Sequence, residues 1–324
     1  MTPRLLITGG TGFFGKSLLR YQYVAGLNKR SMAIDWPIVL LSRDPARFQD
    51  AHPELCTHPG ISFHQGDIQD RDSLPWGQSF SHVLHAATDS TFGPRLTPLQ
   101  RYKQIHDGTI NILDLAVASG ARRFLLTSSG GIYGPQPADL DAIPEDWPGS
   151  PPLAEPATAY SQAKRVAEHL CALYRDAHGL ETVIARCFAF IGPDLPLDVH
   201  FAIGNFIHDA LSADAITVAG DGSPLRTYLD QRDLAHWLWT LLLEGKDGET
   251  YNVGSDQVIS IAELAHLVRD LIAPAKPVHI LGASQPAAAR NRYVPKIEKI
   301  KAMHGLGVAV PLDQAILNTV QAHL

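Results

Sequence analysis

A short apolar run, Leu5-Leu6-Ile7-Thr8, leads straight into "GGTGFFG", Gly9 to Gly15, and a helical pattern follows. Gly10, Gly12 and Gly15 satisfy GxGxxG, while Gly9, Gly12 and Gly15 satisfy GxxGxxG. Either spacing puts glycines where a chain turns tightly from strand to helix and where a pyrophosphate must approach the backbone. The helix starting there aims its first amides at that phosphate. The segment is expected to bind a dinucleotide, with Gly9, Gly12, Phe13, Phe14 and Gly15 lining it.

The choice of dinucleotide falls to the end of the second strand. A count of about 20 residues past Gly15 reaches Asp35, but Asp35-Trp36-Pro37 precedes the strand Ile38 to Ser42 because the link from the first helix is long. The ribose contact must come from the strand's carboxyl end, where Ser42 and Arg43 stand. A guanidinium there pairs with a 2′-phosphate, so NADP is expected. NAD is the alternative, since Arg43 can stack on adenine and Asp44 is adjacent. After the third strand, Gly66-Asp67-Ile68 offers the Asp67 carboxylate to the adenine end.

Candidate strands at Leu5–Thr8, Ile38–Ser42, Ile61–Gln65, His82–His85, Phe124–Ser128 and Thr182–Cys187 alternate with helical stretches. The main ones are Gly12–Val24, Pro98–Ser119 and Thr158–His178. This alternation predicts an α/β fold with a doubly wound parallel sheet, the Rossmann arrangement. Beyond residue 188 the rhythm loosens, with helices expected at Phe201–Leu211, Asp230–Leu243 and Ile261–Leu271. The Pro-rich piece Pro135–Pro156 reads as a long surface loop with a functional role. "LAHWLWTLLLEG", Leu234 to Gly245, reads as a helix packing its apolar face on the sheet.

Composition narrows the classes. A hydrophobic fraction of 45% and a charged fraction of 19% in 324 residues exclude a mainly disordered chain. A net charge of −6 gives no basic footprint for nucleic acid. Three widely spaced cysteines argue against a disulfide framework or a zinc site, and the 15 histidines show no metal-ligand spacing. No apolar run approaches the roughly 18 residues of a spanning helix, and the first strand starts too near Met1 for a signal peptide. A cytoplasmic protein without membrane partners is expected.

One strand ends in chemistry. "LLTSSGGIYG", Leu125 to Gly134, closes an apolar run with two hydroxyls, two glycines and a tyrosine. Downstream, "YSQAK" sets Tyr160 and Lys164 four apart on one face of a helix. A phenol of pKa about 10 is a poor base at neutral pH, but a nearby ammonium and an oxidised nicotinamide both favour the phenolate. Tyr160 then becomes a usable proton carrier.

Together "TGGTGFFG", "HAA" at His85 to Ala87, "SSGGIYG", "YSQAK" and "LRTYLDQRDLA" resemble the extended short-chain dehydrogenase/reductase family, in its NAD(P)-dependent epimerase/dehydratase branch acting on nucleotide sugars. The resemblance implies a smaller C-terminal substrate domain and a homodimer packed through Pro98–Ser119 and Thr158–His178. The dinucleotide domain is expected over residues 1–188, with returns near 225–256, and the substrate domain mainly over 189–324. By position, Ser129 orients the sugar oxygen, Tyr160 is the acid/base, and Lys164 holds the nicotinamide ribose. Ala86 and Ala87 fall at the cofactor. Gly130, Asn205, Arg226 and Arg292, with His200 less firmly placed, fall at the substrate, the arginines resembling diphosphate contacts.

Departures from the pattern carry information. The 4,6-dehydratases of the family have Asp-Glu after the active hydroxyl to move protons, and Gly130 and Gly131 stand there instead. Ala189 and Ile105 replace frequent asparagines. The expected function is NADPH-dependent reduction at C4 of a nucleotide-linked 4-keto-6-deoxy sugar. A nucleotide-sugar 4-epimerase is the alternative, and a dinucleotide-sensing protein without catalysis is a more distant one.

Overall fold

Continuous apolar runs, rather than alternating ones, mark strands covered on both faces, as parallel sheets are. The computed structural model, which describes residues 3–23, 35–88, 96–199, 201–283 and 291–324, has four such strands. They are β1 (Leu5–Thr8), β2 (Ile38–Ser42), β4 (His82–His85) and β5 (Arg123–Ser129), buried along nearly their whole length. β3 (Ile61–Gln65) is half-exposed, as an edge strand is, and β6 (Glu181–Cys187) lies beyond β5. The seven-stranded parallel sheet runs β3-β2-β1-β4-β5-β6 and ends on the strand Thr250–Val253. The chain winds outward from β1 through β2 to β3, then returns to place β4 on the other side of β1. Ligands in such sheets bind beyond the carboxyl ends of the strands at this reversal.

The helices start and stop where local chemistry dictates. α1 (Phe13–Tyr23) follows the glycine turn, and α2 (Pro45–Ala51) is capped by Asp44, whose Oδ1 accepts from the Arg47 amide at 3.0 Å. α3 (Pro98–Ala118) opens with a capping box of Thr97 and Gln100 and with Pro98 in its first turn. α4 (Ala159–His178) ends on Gly179 at φ +66°, a left-handed stop suited to glycine. α5 (Ala202–Ser212), α6 (Gln231–Glu244) and α7 (Ile261–Ile272) fall within a residue or so of expectation. Trp237 and Trp239 of α6 are fully buried, and Trp239 Nε1 donates to the Leu18 carbonyl, so this aromatic pair is packing. Among the described residues no helix is long and apolar enough to cross a membrane.

The chain divides into two units: residues 1–132, 151–186 and 235–251 in the first, and 133–150, 187–234 and 252–324 in the second. The first holds the sheet's core under α3 and α4. The second is built from α5, α7, α8 (Glu298–His304), α9 (Leu312–Gln321) and strands of two or three residues. The expected surface loop 135–156 is corrected in part. Ile143 is fully buried in the second unit, its amide bonded to the Val294 carbonyl and its carbonyl to the Lys296 amide. The Asn252 side-chain amide bridges Ile143 and Lys296, and its Oδ1 accepts from the Tyr133 hydroxyl.

Two buried histidines in β4 set a pH dependence. Burial pushes His82 down from 6.5 to about 4, aided by the charges of Arg122 and Arg123, and pushes His85 down to about 3, aided by Lys164. Below pH 6.5 the unfolded chain takes up protons that the native state refuses. Their contribution to stability is therefore complete above that pH and is lost as pH falls toward the folded values. The expected slope is about 1.4 kcal/mol per pH unit for each histidine. Urea unfolding between about pH 6.5 and 5 tests this; a flat profile would contradict it.

Candidate active site

At the mouth of β1, Gly9 sits at φ +72°, and a Cβ there would lie 2.5 Å from the Ala86 carbonyl oxygen. A Cβ on Gly15 would lie 2.1 Å from the Gly10 carbonyl oxygen, so glycine is what lets α1 close against the turn. Gly12 is different: its Cβ would meet Gly9 O at 3.4 Å and nothing nearer. That leaves room beside the first turn of α1, the turn that holds Phe13 and Phe14. An open position at a helix N-terminus, flanked by tight glycine contacts, fits the pyrophosphate of a dinucleotide.

The strand ends around this mouth carry the other nucleotide candidates. Ser42 is buried at the tip of β2, and its Oγ accepts from the Asp44 amide at 3.3 Å. Arg43 is exposed there, and the neighbouring Asp44 carboxylate is occupied in capping α2. Asp35 lies exposed ahead of β2, at the opposite end from Arg43. Asp67 is half-buried, its Oδ1 accepting from the Gln69 amide. Ile68 is buried in the core, where Gly108 lets α3 come close to it. Ala86 bonds back to the Thr8 carbonyl, and Ala87 packs partly buried on the core.

β5 and α4 are fastened to each other at the candidate catalytic end. Lys164 is 4% exposed, and its Nζ donates to the Thr127 carbonyl and to Thr88 Oγ1, both at 2.8 Å. One turn further along α4, Glu168 accepts from the Ser128 hydroxyl at 2.5 Å and pairs with Arg186 of β6 at 2.8 Å. Ser129, the next residue of β5, is buried, and its Oγ accepts from the Gly131 amide at 3.1 Å. With that lone pair engaged, the hydroxyl retains its proton to donate. Gly130 and Gly131 continue as a 3-10 turn, and a Cβ on Gly131 would lie 2.8 Å from the hydroxyl of Ser161, Tyr160's neighbour. Tyr160 is half-buried in the first turn of α4, and the Arg101 guanidinium of α3 stacks over its ring.

The second unit holds the remaining candidates. Arg226 and Arg292 lie on paired strands, with Arg226 opposite Tyr293 and Arg292 opposite Leu225. Residues one step out of register leave opposite faces of a sheet, so the two guanidiniums do not share one. Arg292 pairs with Asp141. Arg226 Nη1 donates to the carbonyls of Leu225 and Asn291, and burial lowers the pKa of this guanidinium. Among the described residues no carboxylate pairs with it. Asn205 is exposed in the first turn of α5, and His200 lies outside the described residues.

A model of the NAD dependent epimerase/dehydratase family matches residues 5–254. The chain belongs to this family. It is 30% identical over 318 residues to UDP-glucuronic acid decarboxylase 5 of Arabidopsis thaliana, covering 97% of this chain and 87% of that one. Among solved structures, RMD from Pseudomonas aeruginosa complexed with NADPH shares 27% identity at a TM-score of 0.77, covering 99% of this chain and 98% of that one. DesIV, a dTDP-glucose 4,6-dehydratase from Streptomyces venezuelae with NAD and TYD bound, superposes at 0.82 with 23% identity, covering 99% and 96%, and shows the fold alone.

Three contributors escaped the sequence reading: Arg101, the Glu168–Arg186 pair, and the Thr88 hydroxyl under Lys164. Glu168 had a signal, since Tyr160, Lys164 and Glu168 recur at four-residue spacing on one helix stripe. Arg101 lies 59 residues from the ring it covers, and no local spacing announces it.

Proposed function

We propose that the chain transfers hydride reversibly at C4 of a nucleotide-activated hexose, working as an NADPH-dependent reductase of a nucleotide-linked 4-keto-6-deoxy sugar. One observation carries this reading. A hydroxyl, phenol and ammonium set on β5 and α4 adjoins two glycines where dehydration needs proton-carrying side chains, and a Cβ at Gly131 would crowd Ser161 Oγ at 2.8 Å.

A bound nicotinamide supplies the hydride. Ser129 donates its hydroxyl proton in a hydrogen bond to the keto oxygen and polarises it. Tyr160 gives a proton to the same oxygen as it becomes a hydroxyl, and solvent restores the phenol afterwards. Lys164, held by Thr127 and Thr88, is the ammonium that favours the intermediate tyrosinate. Arg226 is the candidate for the substrate diphosphate, because a half-buried cation bonded to neutral carbonyls gains most from an anion. NADP in preference to NAD is supported by exposed Arg43 at the β2 tip, by Asp44 being engaged as a cap, and by the NADPH-bound relative. Leu99 of α3 and Leu173 of α4, 64% and 49% exposed, support a homodimer.

The relatives' names favour a second reading, decarboxylation of a nucleotide-linked glucuronic acid. Oxidation at C4 makes a β-keto acid that loses carbon dioxide, and the same hydroxyl, phenol and ammonium would serve. That route also needs a proton at C5, which Gly130 and Gly131 cannot deliver.

The test is NADPH oxidation on addition of a nucleotide-linked 4-keto-6-deoxyhexose, expected to be stoichiometric. Arg43→Ala should weaken NADPH binding roughly tenfold or more and leave NADH unchanged, as expected for one charge-assisted contact. Tightly held NAD with carbon dioxide released from UDP-glucuronic acid, or with interconversion of C4 epimers, would overturn the reductase.

A further inference from the structure

The Arg101 guanidinium carbon lies 4.4 Å from the centroid of the Tyr160 ring. Its place is fixed from the backbone outward. α3 is locked at its start by the Thr97–Gln100 capping box, and the Arg101 amide bonds to the Thr97 carbonyl at 2.9 Å. α3 packs along α4, so its first turn meets the turn that carries Tyr160.

Arg101 Nε is buried and has no hydrogen-bond partner among the described residues, nor does any described carboxylate pair with this side chain. A buried donor left without a partner is costly unless something else interacts with it. Here the neighbour is a π face. Ionising the phenol adds electron density to that ring, so a cation over it is attracted more strongly by tyrosinate than by tyrosine.

We propose that Arg101 is a positioning residue for catalysis in this chain: its guanidinium, stacked over Tyr160, favours the tyrosinate and adds to the effect of Lys164. The inference rests on the reading of Tyr160 as the proton carrier. Among the described residues, charge near Tyr160 comes from two helices. Its own helix supplies Lys164 one turn on, and α3 supplies Arg101. β5 ends in the neutral Ser128 and Ser129, and the 3-10 turn Pro156–Thr158 ahead of α4 has no ionisable side chain. Glu155, before that turn, is exposed to solvent.

The experiment is an ultraviolet titration of tyrosinate in the NADP-loaded protein, with Tyr160→Phe subtracted to isolate the one residue. Arg101→Met keeps an aliphatic stem and removes the charge, whereas Arg101→Lys keeps the charge. Arg101→Met should raise the Tyr160 midpoint by about 0.5 to 1.5 pH units, and the matching limb of the kcat/KM pH profile should move with it. Arg101→Lys should restore most of the shift. An unmoved midpoint in Arg101→Met, equal shifts in both variants, or a change confined to substrate KM would overturn the proposal. If Tyr160→Phe removes neither titration nor turnover, the reading of Tyr160 fails first and the inference fails with it.

Discussion

Tyr160→Phe is expected to lower turnover at least 100-fold while leaving dinucleotide affinity within about twofold, since loss of a general acid/base typically costs that much. The change deletes one hydroxyl and keeps the ring, so the packing of α4 on the core and the Arg101 stacking partner both persist. The glycine turn at Gly9, Gly12 and Gly15, the candidate dinucleotide site, lies on other elements and is not altered. Steady-state rates with isothermal titration of the cofactor separate the two effects. More than about a tenth of the wild-type rate would remove Tyr160 from the chemistry.

Glu168→Ala is expected to cost about 3 to 5 kcal/mol of folding stability, because it breaks a largely buried ion pair by removing one partner. The side chains of Arg186 and Glu168 are 13% and 11% exposed, so solvent cannot take over. Against a total stability of about 5 to 15 kcal/mol, this is a large fraction. The change also releases the Ser128 hydroxyl and with it the tip of β5 that carries Ser129. Replacing both partners with Met should recover most of the loss, since a buried ion pair and an apolar pair are often near equal. Urea midpoints decide it. A Glu168→Ala loss under about 1 kcal/mol would mean the pair is effectively solvated.

Much of the sheet was legible because β1, β2, β4 and β5 are apolar runs stopped by glycine, serine or histidine; β5 and β6 differ from expectation by a residue or two, and the seventh strand, Thr250–Val253, was not expected. The long helices were legible in sequence, α4 between Pro156 and Gly179, whereas the Thr97–Gln100 capping box of α3 is seen only in the structure. The second unit was not, because strands of two residues such as Leu225–Arg226 and Arg292–Tyr293 have no periodicity to read. Ile143 belongs to the same class: its strand-like bonds go to residues about 150 positions away.

The candidate site divides along the same line. Ser129, Tyr160 and Lys164 were visible because a strand tip and a helix turn each present them locally. The groups that hold them, Thr88, Glu168, Arg186 and Arg101, meet through the fold. The glycine spacing was ambiguous in sequence, and the contacts separate the roles: Gly9 turns the chain beside Ala86, Gly10 and Gly15 touch, and Gly12 leaves the space.

The most direct test of the central claim follows a deuterium label from NADPH deuterated at the nicotinamide C4. With a nucleotide-linked 4-keto-6-deoxyhexose as acceptor, the account predicts one deuterium at C4 of the product sugar for each NADPH oxidised, and none of this transfer in Tyr160→Phe. With both hydrogens at that carbon replaced by deuterium, a product sugar free of label while the substrate changes, or label arriving at any other sugar carbon, would contradict it.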